Sequence, residues 1–226
     1  MSGKSKATKD RIDEIALKEF ADKGYRDASL RSIVRKAGVT TGSFYWYYNS
    51  KEELFASLVG VHYDYAMQIH AKSAKHFLLY PKEEQVRHIF DGSFGYMQEM
   101  LEYMYQHKTE FRILICGSEG TRYGNLLHDL TEKELDLTHQ IIQNLKEIGS
   151  SDRVESISSE MEQIITSGIY SELFEILVRD IPLEKARQCI RELNSFYIAG
   201  WSHIMNIPFP EIMNHKDELP ATGQAD

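Results

Sequence analysis

Only two cysteines, five prolines and no long apolar run occur in these 226 residues. Cys116 and Cys189 both sit in apolar, helix-like contexts, so buried free thiols are expected rather than a disulfide or a redox switch. No stretch approaches the ~18 apolar residues of a membrane span. The Lys-rich start lacks the apolar core of a secretion signal, so the expected location is the cytoplasm, with no membrane partner. Alternating strand patterns and internal repeats are missing, which leaves an all-α fold as the expectation. The nine histidines are scattered, and none stands with Cys, Asp or Glu at a zinc or zincin spacing. No G-x-S-x-G, P-loop or dinucleotide fingerprint is present, and Ser43 and Ser118, each beside a glycine, lack a triad partner nearby. No enzyme, cofactor or metal is expected from such a chain.

An excess of positive charge is also missing: the net charge is −8. That figure hides a division. Residues 1–51 carry 11 Lys and Arg against 6 Asp and Glu, a net +5, and the remainder carries 15 against 28, a net −13. One part can meet phosphates while the other repels them. Lys4, Lys6 and Lys9 are either a solvated run or an arm that reaches a phosphate.

What is present concentrates in residues 25–54. Leu30, Ile33, Val34 and Ala37 recur at i, i+3, i+4 and i+7, one face of a short helix, with Ser29 as its N-cap. Gly38 ends that helix, since glycine enters the left-handed region without steric cost, and Val39 can drop back into the core. A second helix starts at Thr40 or Thr41 and runs through Gly42, Ser43, Phe44, Tyr45, Trp46 and Tyr47. Its first side chains are small or hydroxylic, so its backbone can approach base edges. Ser50 and Glu53 make a capping box for the next helix. Lys51 in its first turn opposes the helix dipole, which is easier to understand beside a phosphate. Helix, glycine turn, helix is the plan of a helix-turn-helix.

Ala37-Gly38-Val39, Thr40, Gly42, Phe44, Tyr45, Tyr47, Tyr48, Lys51, Glu52 and Leu54 stand in a register that resembles the DNA-binding domain of the TetR family of bacterial transcriptional regulators. Ala16, Phe20, Gly24 and Tyr25 match the end of that family's first helix, so the resemblance covers roughly residues 8 to 56. Tyr48 stands where Phe is usual, and Trp46 where His or a smaller aromatic is common. The resemblance implies that Thr41, Ser43 and Tyr45 meet bases or adjacent phosphates. It implies that Tyr47 and Lys51 anchor the DNA backbone, with Arg31 a further contact, while Thr40, Gly42 and Trp46 complete the reading surface. It also implies a homodimer on an inverted-repeat operator in double-stranded DNA.

The rest reads as a helical body. Ile12, Ile15, Ala16 and Phe20 form a first helix ending at Gly24. A helix from Lys51, with Leu54, Leu58 and Val61 on one face, passes His70 as the link between domains, and after Pro81 a long helix runs from about Glu83 to Tyr105. Ser159 and Glu162 cap a helix carrying Met161, Ile165, Ile169, Leu173 and Ile176, with Ile164, Gly168 and Ser171 on a neighbouring face. Pro182 is placed at N1 of the next helix, which carries Ala186, Cys189, Ile190, Leu193, Phe196, Tyr197, Gly200, Trp201 and Ile204. So wide an apolar face is either buried on two sides within one chain or forms a four-helix dimer interface through residues 159–206.

A small-molecule effector would sit in the middle of the chain. Phe90, Phe94, Met97, Leu101 and Met104 form one face, which is either plain core or the wall of an adaptable apolar pocket. Within the run Cys116 to Gly124, the eight residues from Gly117 on hold three glycines, each costing a helix about 1 kcal/mol relative to Ala. Cys116, Glu119, Arg122 and Tyr123 could therefore line the same pocket, with Glu119 paired to Arg122 or to a cationic ligand, or else the charges are simply solvated. The expected organisation is a helix-turn-helix domain over 1–50, an effector and dimerisation domain over 51–206, and a tail over 207–226. The expected function is a ligand-responsive DNA-binding regulator, most simply a repressor released by an apolar or amphipathic effector. An effector-free architectural or division factor and, last, an all-helical enzyme are the alternatives.

Overall fold

The computed structural model describes residues 3–88, 91–147 and 157–204, and among these there are helices and turns but no strand. α1 spans Gly3–Asp27 and breaks at Gly24, whose φ of 70° and ψ of 173° leave the helical region. Its Ile12, Ala16 and Phe20 are buried one turn apart. Ser29 caps α2 (Leu30–Lys36) by accepting from the Ser32 amide, and Gly38 at φ 64° turns the chain so that the Val39 amide donates back to the Val34 carbonyl. Thr40 caps α3 (Thr41–Tyr45), and Ser50 caps α4 (Lys51–Leu78). Fully buried Phe44 pins α3 to the domain core.

α4 is 28 residues long, which at 1.5 Å per residue gives roughly 42 Å. Its first turns pack on α1, and its later turns pack on α6 (Asp91–Gln106), α7 (Lys108–Cys116) and α8 (Leu126–Glu147). The buried face runs through Leu54, Phe55, Val59, His62, Ala66 and Ile69, with Leu58 half-buried beside it. Of the expected Leu54–Leu58–Val61 face only Val61 turns outward, at 61% exposure.

α5 (Lys82–His88) and α6 cover the described part of the helix expected from Glu83 to Tyr105, and residues 89 and 90 lie outside the described residues. α9 (Ser159–Val178) is capped by Ser158, one residue before the expected Ser159, because the Ser158 hydroxyl is the one that accepts from the Met161 amide. α10 (Leu183–Ile204) starts one residue after Pro182, whose carbonyl accepts the first helical bond from Ala186. α9 lies against α8 and α10, α10 lies against α6, and Arg187 grips both Glu102 oxygens at 2.5 and 2.8 Å. The expected tail over 207–226 lies outside the described residues.

Neither cysteine is a buried thiol: Cys116 is exposed and Cys189 half-buried, both free. Cys116 faces outward because Gly117, not Cys116, makes the contact that ends α7. A Cβ on Gly117 would lie 3.2 Å from the Gly24 Cα, and the Tyr25 amide donates to the Gly117 carbonyl at 2.7 Å. The two glycines let the end of α1 and the end of α7 meet backbone to backbone. Gly117→Ala should therefore push the joint apart and cost about 1–3 kcal/mol, the usual range for overpacking, read as a lowered urea midpoint with the helical circular dichroism of the native baseline retained.

Candidate nucleic-acid interface and effector region

α3 projects its first turn and its last side chains into solvent. Arg31, Thr40, Thr41 and Gly42 are exposed, Tyr45 is 51% and Trp46 69% exposed, and Ser43 is half-buried. Large aromatics are costly to leave in water, yet here two stand on the same short helix as the open hydroxyls. Tyr45 packs edge-on against Phe44 at 5.4 Å, and Trp46 against Tyr47 at 5.0 Å, so their rings are oriented from beneath. Thr40 uses its hydroxyl oxygen to cap α3, accepting from the Ser43 amide at 3.1 Å.

Two expected DNA anchors have internal partners. The Tyr47 hydroxyl donates to the Ser5 carbonyl at 3.0 Å, tying the start of α1 to the end of α3. The Lys51 ammonium donates to the carbonyls of Tyr25 at 2.6 Å and Ala28 at 3.0 Å, with Arg26 at 3.4 Å, and it lies 4.4 Å from the Tyr25 ring centre. The misplaced cation in the first turn of α4 thus has a structural cause: it satisfies carbonyls freed by the break at Gly24. Lys9 likewise pairs with Asp13 at 2.7 Å.

Inside the domain, the Glu19 side chain is buried and takes Lys23 and Lys36 at 2.6 Å each, joining α1 to the last turn of α2. The hydrogen bond from Lys23, then that from Lys36, holds its carboxyl at about 2, against an ordinary 4.5.

The expected effector residues separate into two places. Met97, Leu101 and Met104 are buried in the main core, while Phe90 and the side chain of Phe94 lie outside the described residues. The Cys116–Gly124 segment does not face them; it packs against the end of α1 beside the helix-turn-helix. Glu119 pairs with Arg26 of α1 at 2.7 Å, and both are exposed. Arg122 donates to the Tyr123 hydroxyl at 2.8 Å. Tyr123 is buried against Phe55 and Tyr63, over Gly60, where a Cβ would come within 2.9 Å of its hydroxyl. Arg122 and Tyr123 do border a groove of about 560 Å³, but its other wall is the outer face of α4 with Gly60, Val61, Asp64 and Tyr65.

A polar cluster that sequence reasoning missed lies deeper. His70 Nε2 is 2.9 Å from Glu134 Oε2, and the buried Tyr170 hydroxyl donates to the same oxygen at 2.9 Å. The Tyr96 ring meets His70 edge-on at 5.5 Å. Burial, then the charge of Glu134, pushes the Tyr170 hydroxyl well above its ordinary value and keeps it a neutral donor. These groups come from α4, α6, α8 and α9, so no local spacing links them. Burial, with His107 beside it, lowers the pKa of His62 on α4.

A family model described as bacterial regulatory proteins, tetR family, matches residues 14–58. The N-terminal domain belongs to the TetR family. Relatives agree over the same region: YdgC of Bacillus subtilis, named as an uncharacterized HTH-type transcriptional regulator, is 42% identical over 59 residues, covering 26% of this chain and 30% of YdgC. SrpR of Pseudomonas putida, an HTH-type transcriptional regulator, is 40% identical over 58 residues, covering 26% of this chain and 27% of SrpR. The chain thus spans under a third of the length of these two relatives.

Beyond the TetR domain the likeness is one of fold. A transcriptional regulator from Aquifex aeolicus aligns with a TM-score of 0.54 at 20% identity, covering 84% of this chain and 99% of the other. A gamma-butyrolactone receptor aligns with a TM-score of 0.53 at 18% identity, covering 94% of each. Among the described residues no helix is long and apolar enough to cross a membrane.

The Glu19 pair has a measurable sign. A carboxyl whose folded pKa is depressed adds stability above its unfolded value of about 4.5, and that stability disappears as pH falls from there toward 2. The two lysines are half-exposed and screened, so Glu19→Gln should cost about 1–2 kcal/mol at pH 7. In denaturant melts across pH, the variant and the parent should converge as pH drops through that window.

Proposed function

We propose that this chain is a DNA-binding transcriptional regulator of repressor type, acting as a homodimer on an inverted-repeat operator and released by a small apolar or amphipathic effector. The observation that carries it is the exposed reading helix, where Thr41, Tyr45 and Trp46 face solvent on a domain that the family model matches. In this reading Thr41, Gly42, Ser43, Tyr45 and Trp46 enter the major groove and Arg31 meets a phosphate, while Thr40, Tyr47 and Lys51 hold the helix in place.

The dimer is read from α9 and α10. Ile164 is 64% and Phe196 68% exposed, Met161 is exposed beside them, and a groove of about 680 Å³ between the two helices is lined by Ile176, Ile181, Leu193 and Phe196. An apolar surface of this kind supports burial against a second copy. The effector is read against Met97 and Leu101, an apolar wall close to the buried polar groups His70, Tyr96, Glu134 and Tyr170 that could orient a ligand. The full burial of Met100, Leu101 and Met104 favours a second reading, an effector-free DNA-binding factor.

Selection from random DNA should return an inverted repeat with half-sites about 34–36 Å apart or a multiple of that. Trp46→Ala and Thr41→Ala should change the preferred sequence without lowering the melting temperature. Phe196→Glu with Ile164→Glu should give a 26.2 kDa species in sedimentation and abolish the preference for paired half-sites. A motif without two-fold symmetry would refute the dimeric regulator.

Effector release is checked separately, by screening small amphipathic molecules for loss of operator binding. An effector of the usual strength weakens binding roughly 5- to 150-fold, and Met97→Trp should blunt that response while leaving operator binding by the free protein intact. If no compound shifts operator affinity, the effector-free reading stands.

A further inference from the structure

His107 and Glu110 stand three residues apart at one helix start, and the fold brings His62, distant in the chain, beside them. One ligating atom from each lies within 4.8 Å of the other two. His62 is buried on α4, the helix that joins the two domains, and Glu110 is in the first turn of α7. His107 holds the N-cap position of α7 with φ −124° and ψ 45°, yet its side chain makes no capping hydrogen bond. It turns instead toward His62, with ring centres 4.5 Å apart.

We propose that His62, His107 and Glu110 form a binding site for a divalent transition metal of the zinc type, clamping α4 to the start of α7. Two imidazoles and one carboxylate are a donor set that zinc accepts, with a fourth position left for water or an exogenous ligand. Tetrahedral zinc with bonds of 2.0–2.1 Å holds its donors roughly 3.3 Å apart, so the three side chains need to close by an ångström or so. His107 and Glu110 are only partly buried at the edge of the cluster and have room to turn. His62 is already oriented: its Nδ1 lies 3.0 Å from the Tyr103 hydroxyl. With Nδ1–H donating to that oxygen, the Nε2 lone pair is the one presented to a metal, the arrangement by which outer partners fix a ligating histidine. Tyr103 is in turn held by stacking on Tyr65 at 3.5 Å.

The clamp would act on the joint between the domains. α7 runs nine residues from Lys108 to Cys116, and Gly117 beyond it rests on Gly24 of the DNA-binding domain. A coordinate bond between α4 and the start of α7 fixes the angle between the two elements that carry that domain.

Titration of the full-length protein with Co²⁺ tests the site. One Co²⁺ per protomer should bind with the intense visible absorption of a tetrahedral centre and be displaced by Zn²⁺. His107→Ala and Glu110→Gln, both at partly exposed positions and so expected to fold, should each weaken binding at least tenfold with an unchanged circular dichroism spectrum. His139→Ala, which removes an exposed histidine paired with Glu162 at 2.9 Å, should leave binding as it was. Failure to bind Co²⁺, or binding that survives His107→Ala and Glu110→Gln, overturns the site. Operator selection by the metal-free protein is a separate measurement, so loss of this site leaves the regulator reading standing.

Discussion

The backbone contact between Gly24 and Gly117 is the constraint on which the seating of the N-terminal helices against the rest of the protein depends. Without side chains at either position, the break in α1 and the end of α7 come together closely enough for the Tyr25 amide to reach the Gly117 carbonyl. The other links across the joint follow from that approach: Arg26 reaches Glu119, and Tyr25 packs edge-on against Phe55 of α4 at 5.0 Å. Lys51 then satisfies the carbonyls that the broken helix leaves behind. One close approach thus ties three elements, α1, α4 and α7, into the unit that sets where the reading helix points.

Electrostatics follow the same division. The first 51 residues hold a net positive charge inside a negative protein, but several of those cations already have internal partners. Lys23 and Lys36 serve Glu19, Lys9 serves Asp13, and Lys51 serves backbone carbonyls. The positive charge left for a phosphate is smaller than the count suggests, and Arg31, exposed on α2, becomes more prominent. The exposed aromatics Tyr45 and Trp46 then supply contact area that charge alone does not.

The body depends on polar groups buried where several helices meet. Glu134 accepts from Tyr170 and lies against His70, while His62 sits between Tyr103 and His107. Buried polar groups are stable only when partnered, so these clusters fix the register of α4 against its neighbours more tightly than apolar packing would. They are also the places where a ligand or a metal could change the energy of one arrangement relative to another.

Local rules sufficed for much of this protein. Ser29, Gly38, Thr40 and Ser50 determined where α2, α3 and α4 begin or end, because capping and positive φ depend on a few adjacent residues. The family register from Ala37 to Leu54 identified the reading helix for the same reason. Where a side chain's surroundings depend on distant elements the sequence said less: it did not show the carbonyl partners of Lys51 or the Arg26 partner of Glu119, and it misplaced Cys116 and Val61, which face outward. The glycine-rich segment was legible as a break in a helix, but that the break serves a domain joint rather than a pocket follows only from Gly24, 93 residues before Gly117. Likewise, the meeting of His62 with His107 and Glu110, or of His70 with Glu134 and Tyr170, depends on how helices pack. Periodicity states which face of a helix is apolar; only tertiary structure decides which polar groups within that face meet one another.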